Sequence, residues 1–147
     1  MFHGFTGVFY HAIDAKGRII IPTKFREKLQ GQFWLTRGID DCLYLMTNED
    51  WETMVMDIKG RSWMNNQDLR KLERGLVAFS SECELDKQGR ILVPPAFRKL
   101  VPMDKEIVLA GQINRIEIWD KDKWEASIAE IDLADITGRL NDSEQPA

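Results

Sequence analysis

Cysteine and histidine are scarce in this chain and a net positive charge is lacking, and each of these narrows what it can do. Cys42 and Cys83 are its only cysteines. They stand far apart, outside any metal-ligand spacing, and read as ordinary buried thiols of a reducing compartment rather than as a disulfide framework. His3 and His11 are the only histidines, and no cysteine or carboxylate is placed to complete a metal cluster with either. There is no glycine-rich phosphate loop, nucleophile elbow or metal-hydrolase motif, so the enzyme reading is poor and no cofactor is expected. No apolar run is long enough to span a bilayer. The moderately apolar start lacks a basic leader and is interrupted by Gly4, Thr6 and Gly7, which argues against a signal peptide and for a cytoplasmic location. The formal net charge is −4, so any site for a polyanion has to be local rather than global.

What the chain does have is a phrase stated twice. Asp14-Ala-Lys-Gly-Arg-Ile-Ile-Ile-Pro-Thr-Lys-Phe-Arg26 returns as Asp86-Lys-Gln-Gly-Arg-Ile-Leu-Val-Pro-Pro-Ala-Phe-Arg98. Agreement in order and spacing over this length marks an internal repeat. Gly17 and Gly89 tolerate positive φ, while Asp14 and Asp86 can hydrogen-bond their own backbone to start a tight turn. The apolar runs Ile19–Ile21 and Ile91–Val93 suit a buried strand, and Pro22 and Pro94 end it because proline cannot donate to the ladder. A short helical turn follows, carrying Phe25 with Arg26 or Phe97 with Arg98. Each copy therefore reads as strand, turn, strand, short helix, with one basic side chain lifted on the turn.

At 147 residues the chain fits one domain or two small ones with a real core. Thr6–Ile13 reads as a strand with Arg18–Ile21 as its hairpin partner, and Phe33–Arg37 with Cys42–Met46 as a second hairpin. Asn48 is placed to cap a helix holding Trp51, Met54 and Val55. Asp68–Glu82 is the clearest helix, with Leu69, Leu72, Leu76 and Phe79 on one face, Asn65 or Asn66 as its cap, and Gly75 permitting a close helix contact. The second half replays the first. Ser80–Leu85 enters the turn and Arg90–Val93 leaves it. Ile107–Ala110 and Arg115–Trp119 pair across Gly111–Asn114, and Lys121–Ile131 forms a helix with Trp124 and Ile128 inward. Gly38 to Trp51 and Gly111 to Trp124 share one separation, which extends the repeat over the half-domain. The divisions read as 1–64, a linking helix at 65–79, 80–131, and an acidic tail at 132–147 that is expected to fray. Neither half has enough strands for a core of its own, so two halves related by a pseudo-twofold are expected to interleave into one small barrel.

The charges follow the repeat. Lys16, Arg18, Lys24, Arg26 and Lys28 crowd the first copy, whereas the stretch after Trp119 is dominated by aspartate and glutamate. Arg18 and Arg90 can each do one of two things: cap the hairpin by pairing with Asp14 or Asp86, or present a guanidinium that matches guanine O6 and N7 from a β-ribbon in the major groove. Lys16, Lys24, Arg26 and Lys28 suit phosphate contacts or solvated charge, and Arg26 and Arg98 suit, as an alternative, pinning the short helix to the barrel. Trp51 and Trp124 occupy equivalent helix positions and read as core anchors. Trp34 and Trp63 have no repeat counterpart, which leaves a subunit interface open for them.

The doubled Asp-x-x-Gly-Arg turn, the segment Gln112-Ile-Asn-Arg-Ile-Glu-Ile-Trp119 and the opening Met1-Phe-His-Gly together resemble the MraZ family of bacterial transcriptional regulators. The resemblance covers nearly the whole chain apart from the acidic tail. It implies a mainly β fold with flanking helices, an AbrB-like swapped-hairpin β-barrel duplicated within one chain. It also implies a regulator of the division and cell-wall gene cluster that binds tandem direct repeats of double-stranded DNA in its own promoter. The implied assembly is a ring-shaped homo-oligomer, expected as an octamer, at the nucleoid and without a membrane partner. The family's Asp-x-x-x-Arg motif falls on Asp14 with Arg18 and on Asp86 with Arg90. Lys16, Lys24, Arg26 and Arg98 complete the expected DNA-binding set, with the first copy dominant because Gln88 and Ala96 replace Lys16 and Lys24 in the second. The residues alone leave a second class open, a non-enzymatic assembly or toxin–antitoxin-type partner on the same fold.

Overall fold

The computed structural model describes residues 2–144. Among them are eight strands and six helices, a mainly β architecture with flanking helices. In chain order these are β1 (Phe5–Ala12), β2 (Arg18–Ile20), α1 (Thr23–Arg26), β3 (Phe33–Arg37), β4 (Leu43–Thr47), α2 (Asn48–Lys59) and α3 (Gln67–Leu76). Then come β5 (Ser81–Cys83), β6 (Arg90–Leu92), α4 (Pro95–Leu100), β7 (Glu106–Ile113), β8 (Ile116–Asp120), α5 (Lys121–Ala129) and α6 (Leu133–Glu144).

The strands pair across the repeat. A six-stranded antiparallel sheet runs β1-β7-β8-β4-β3-β5, and β2 pairs with β6 in a separate two-stranded ribbon. The hairpin expected between Thr6–Ile13 and Arg18–Ile21 is therefore not formed. A single bridge, Ile13 to Ile19, joins β1 to β2, and the ladder partner of β2 lies in the other copy. The backbone groups of β2 are met from the second copy, by the ladder with β6 and by the Gly89 carbonyl, which accepts from the Ile21 N–H at 2.9 Å. Register makes the symmetry visible. Arg18 faces Leu92, Ile19 faces Ile91 and Ile20 faces Arg90. In the sheet Leu43 faces Ile118 and Leu45 faces Ile116, about an axis at Tyr44 and Glu117.

One core lies between ribbon and sheet. Ile19, Ile21, Ile91 and Val93 meet Phe33, Leu35, Leu43, Leu45, Ile107, Leu109, Ile116 and Ile118, all buried. Phe25 of α1 meets Phe5 and Phe9 edge-on at 5.7 and 5.1 Å between centroids, which fastens the short helix to β1. The opposite face of the sheet carries Cys42, Tyr44, Met46, Val108, Ala110 and Trp119, covered by Trp51 and Met54 of α2 and Trp124 of α5.

Several local expectations change. Thr47, not Asn48, caps α2, its hydroxyl accepting from the Asp50 N–H at 3.1 Å; Thr47 keeps extended dihedrals and so can turn its side chain to the helix end. The Asn48 side-chain oxygen instead accepts from Trp34 Nε1 at 2.9 Å, and Trp34 stacks on Trp51 at 3.7 Å, so Trp34 is satisfied within the chain. Asn66 caps the central helix as one of the two candidates. That helix stops at Leu76, however, where the buried Thr36 hydroxyl donates to the Leu76 carbonyl at 2.7 Å and the chain departs for β5. Leu69 and Leu76 are buried, but Leu72 and Phe79 keep more than a third of their surface exposed, and Gly75 faces open space. Gly111 lies inside β7 against the backbone of β1, so it is not equivalent to Gly38, and the β7–β8 turn sits at Asn114–Arg115. Ile128 is exposed while Trp124 is buried. The acidic segment forms α6 rather than fraying, although its last residues, 145–147, lie outside the described region.

The core pairing across the ribbon sets an expectation. Ile19→Ala and Ile91→Ala should each lower stability by roughly 2–5 kcal/mol in urea unfolding. Because the two side chains share one packing site, the double variant should differ from the sum of the singles by at least ~0.5 kcal/mol. Strict additivity would show that the two strands do not depend on each other.

Candidate nucleic-acid interface

The two repeated turns have the same hydrogen bonds, nearly atom for atom. In the first, Asp14 Oδ1 accepts from the N–H groups of Lys16 at 3.0 Å and Arg18 at 2.8 Å, and Asp14 Oδ2 accepts from Arg18 Nε at 2.6 Å. In the second, Asp86 Oδ1 accepts from the N–H groups of Gln88 at 2.9 Å and Arg90 at 2.8 Å, and Asp86 Oδ2 accepts from Arg90 Nε at 2.8 Å. Gly17 and Gly89 close the turns at φ 88 and 74, a region glycine enters without strain. The backbone N–H of Arg18 foremost, then its guanidinium, hold the Asp14 carboxyl below the usual carboxylate range, and Arg90 does the same for Asp86.

This geometry bears out the capping reading of the arginines. The aspartate caps the turn and also grips Nε, which aims the guanidinium. Neither arginine's Nη groups make a protein hydrogen bond among the described residues, so the outer edge of each planar fork remains available for an acceptor pair. About a third of the Arg18 side chain is exposed, and a quarter of Arg90. The antiparallel ribbon puts both on its outer face, at opposite ends of a diagonal.

Arg26 and Arg98 sit where the repeat has exchanged them. A side chain at Gly89 would run into the guanidinium of Arg26, and one at Gly17 would come within 2.9 Å of Arg98 Nε. Each arginine therefore covers the turn of the other copy. Their Nε atoms are buried without a partner among the described residues, and Arg26 Nη2 donates to Thr23 Oγ1 at 3.0 Å. Both support the turns, in keeping with a packing role, and they also bring positive charge to them. Lys16 is exposed on the first turn, and Lys87, which a position-by-position comparison of Lys16 with Gln88 overlooks, is exposed on the second. Lys24 reaches back to Thr6 Oγ1 at 3.3 Å and stands apart from the turn. Lys28 donates to the Gly4 carbonyl and lies over the rings of Phe2 and Phe5, so it is part of the packing.

The segment Gln112–Trp119 has a structural explanation. Glu117, buried in the sheet, accepts from Arg115 Nε at 3.1 Å and Trp119 Nε1 at 3.0 Å, and Arg115 lies over the Tyr44 ring at 5.1 Å. Burial pushes the Cys83 thiol up to about 12 and the Cys42 thiol higher still, so both are protonated at neutral pH. His11 Nδ1 lies 3.0 Å from the Ile20 carbonyl and His3 is exposed.

Comparison with known proteins agrees with the twinned turns. A family model described as MraZ protein, antitoxin-like, matches residues 5–74 and again 76–142. The chain belongs to the MraZ family. Relatives include the transcriptional regulator MraZ of Lachnoclostridium phytofermentans, 45% identical over 123 residues, covering 84% of this chain and 86% of that protein. The protein of the same name from Thermoanaerobacter sp. is 39% identical over 138 residues, 92% and 96% of the two chains. That of Ligilactobacillus salivarius is 43% identical over 122 residues, 83% and 85%. The MraZ match thus runs through both copies of the turn and most of α6. No helix among the described residues is long and apolar enough to cross a membrane.

The lowered carboxylates predict a pH dependence. A group whose folded pKa is depressed contributes stability above its unfolded pKa and loses it as pH falls through the folded value. Relative to the native chain, Asp14→Asn and Asp86→Asn should therefore be less stable at neutral pH, with the difference vanishing below the carboxylate range. Urea unfolding across a pH series measures it, and a constant difference down to acid pH would contradict the Asp–Arg turn as a charged unit.

Proposed function

We propose that this protein is a sequence-specific DNA-binding transcriptional regulator that reads double-stranded DNA with Arg18 and Arg90. The observation that carries the reading is the pair of guanidinium groups gripped through Nε by Asp14 and Asp86, with their Nη forks turned outward on one two-stranded ribbon. A two-stranded ribbon fits the major groove, and an aimed guanidinium fork matches guanine O6 and N7. The name transcriptional regulator carried by the relatives supports the same reading. Asp14 and Asp86 act as positioning residues. Arg26 and Arg98 reinforce the turns and their potential, and Lys16 and Lys87 contact phosphates. Because Lys87 matches Lys16, and Lys24 and Lys28 are engaged away from the first turn, the two turns are closer to equal in charge than their sequences imply.

In its fuller form, the regulator sits at the nucleoid and binds tandem direct repeats in the promoter of its own operon, at the head of the division and cell-wall cluster. It does so as a ring-shaped homo-oligomer, an octamer, whose subunits meet successive repeats in one orientation. Head-to-tail contacts close such a ring when the rotation per subunit allows. One chain's ribbon offers few base contacts, so neighbouring subunits would supply the remaining affinity through effective concentration. The other class, a protein partner bound through the same fold, leaves the outward arginine forks without a purpose.

Arg18→Ala should fold normally and give up roughly 1–3 kcal/mol of specific binding for each bidentate base pairing it removes. Log affinity should fall linearly with log salt at a slope of about −0.9 per phosphate neutralised. Inserting about 5 bp between direct repeats should cut affinity toward that of a single repeat, because the next site turns to the opposite face of the duplex. Mobility-shift titrations on the DNA upstream of the gene, against scrambled sequence, test all three. Binding that ignores salt and Arg18 would favour the protein-partner class.

A further inference from the structure

The inner face of the ribbon is conventional and its outer face is not. Ile19 and Ile91 oppose each other in the core at 0% and 1% exposure, while Ile20 and Leu92, one residue on, turn outward at 51% and 54%. The apolar run after each turn, which suggests a buried strand, is thus buried on one side only. Arg18 faces Leu92 and Ile20 faces Arg90, so the outer face is a four-residue tile with arginines on one diagonal and aliphatic side chains on the other. Single exposed hydrophobic residues are ordinary. Two at twofold-related positions, each directly opposite a guanidinium, form a pattern that water does not require.

The chemistry of the tile limits what it can meet. An apolar protein surface would desolvate both arginines without pairing them. A second copy laid on the tile would offer the arginines only other arginines or aliphatic side chains, and no acceptor pair. A bare phosphate backbone would satisfy the arginines and leave the aliphatic groups idle. The major groove offers both chemistries together: acceptor pairs on guanine and, as its one apolar group, the 5-methyl of thymine. Directly opposed strand residues stand about 4.5–5.5 Å apart at Cα, and base pairs are stacked at about 3.4 Å, so contacts from one tile fall on neighbouring base pairs. The His11 ring against the Ile20 carbonyl braces the strand at this point.

We infer that Ile20 and Leu92 form a pair of apolar subsites for thymine 5-methyl groups, in base pairs adjoining those read by Arg18 and Arg90. The inference rests on the DNA-binding reading and adds a thymine requirement to it. The arginines read guanine, and the aliphatic pair discriminates thymine from cytosine and from uracil at the neighbouring steps.

The test uses the full chain and duplexes selected from a random-sequence pool by the native protein. Each thymine is then replaced singly by deoxyuridine, which removes one methyl group. One or two replacements beside the guanines should weaken native binding by about three- to tenfold, the scale of one buried methyl group. Ile20→Ala or Leu92→Ala should bind the thymine duplex less tightly and no longer distinguish it from the matching deoxyuridine duplex. Ile20→Val should keep most of the discrimination. The salt slope should stay native in all three, because every phosphate contact remains in place. Indifference of the native protein to every deoxyuridine, selected sites without such a thymine, or undiminished discrimination in both alanine variants would overturn the subsites. A changed oligomeric mass for Ile20→Ala would overturn them too, by assigning the face to contacts between copies. If those failures occur while Arg18→Ala weakens specific binding, only the subsites fall; if Arg18→Ala binds as the native chain does, the DNA reading falls with them.

Discussion

The pairing of β2 with β6 is the constraint on which the rest of the molecule depends. Each ribbon strand is three residues long and could not persist alone. It is held because the Ile21 N–H donates to the Gly89 carbonyl at 2.9 Å and the Val93 N–H to the Gly17 carbonyl at 2.7 Å, so each strand is tied to the other copy's turn. Ile19 and Ile91 then close the core from above, while β1 and β5 are sent to partners β7 and β3. Neither copy supplies its own missing strand. The duplication is a folding requirement before it is a functional one.

The same exchange assembles the surface. The Asp–Arg turns emerge at the two ends of one short ribbon, so two turns that are distant in sequence become neighbours. Arg98 covers Gly17 and Arg26 covers Gly89, so each turn is backed by an arginine of the other copy. A chain with net charge −4 can in this way carry a compact basic face, since screening at physiological salt confines each charge's influence to about 8 Å. The aspartates within the turns do not cancel this face. They engage Nε through short hydrogen bonds and leave the outer guanidinium edges to the solvent.

The tryptophans and caps show a second layer of organisation. Trp34 stacks on Trp51, Trp51 Nε1 donates to Ser80 Oγ at 3.0 Å, and Thr36 fixes the end of α3. These contacts dock the helices on the face of the sheet opposite the ribbon, which keeps the ribbon's outer face clear. α6 is attached beyond α5 with most of its side chains exposed, a helix stabilised locally by the Asp132 cap and the Asp135–Arg139 pair.

Residue type and spacing by themselves determined the turns. Asp, Gly and Arg at fixed intervals specify a hydrogen-bonded loop whose partners lie within five residues, so Asp14–Arg18 and Asp86–Arg90 were legible, as was the family they belong to. Local signals also located the strands β3 and β4 and the burial of Trp124. They did not decide partners. The hairpin Thr6–Ile13 with Arg18–Ile21 is the natural local choice, and it loses because the core needs the equivalent strand from far along the chain. The neighbours of Arg26 and Arg98, the outward turn of Ile20 and Leu92, and the satisfaction of Trp34 depended on that same crossing. Sequence spacing fixes which groups can meet within a few residues; only the tertiary fold decides which distant groups do, because loop closure costs little more for a far partner than for a near one and burial then selects between them.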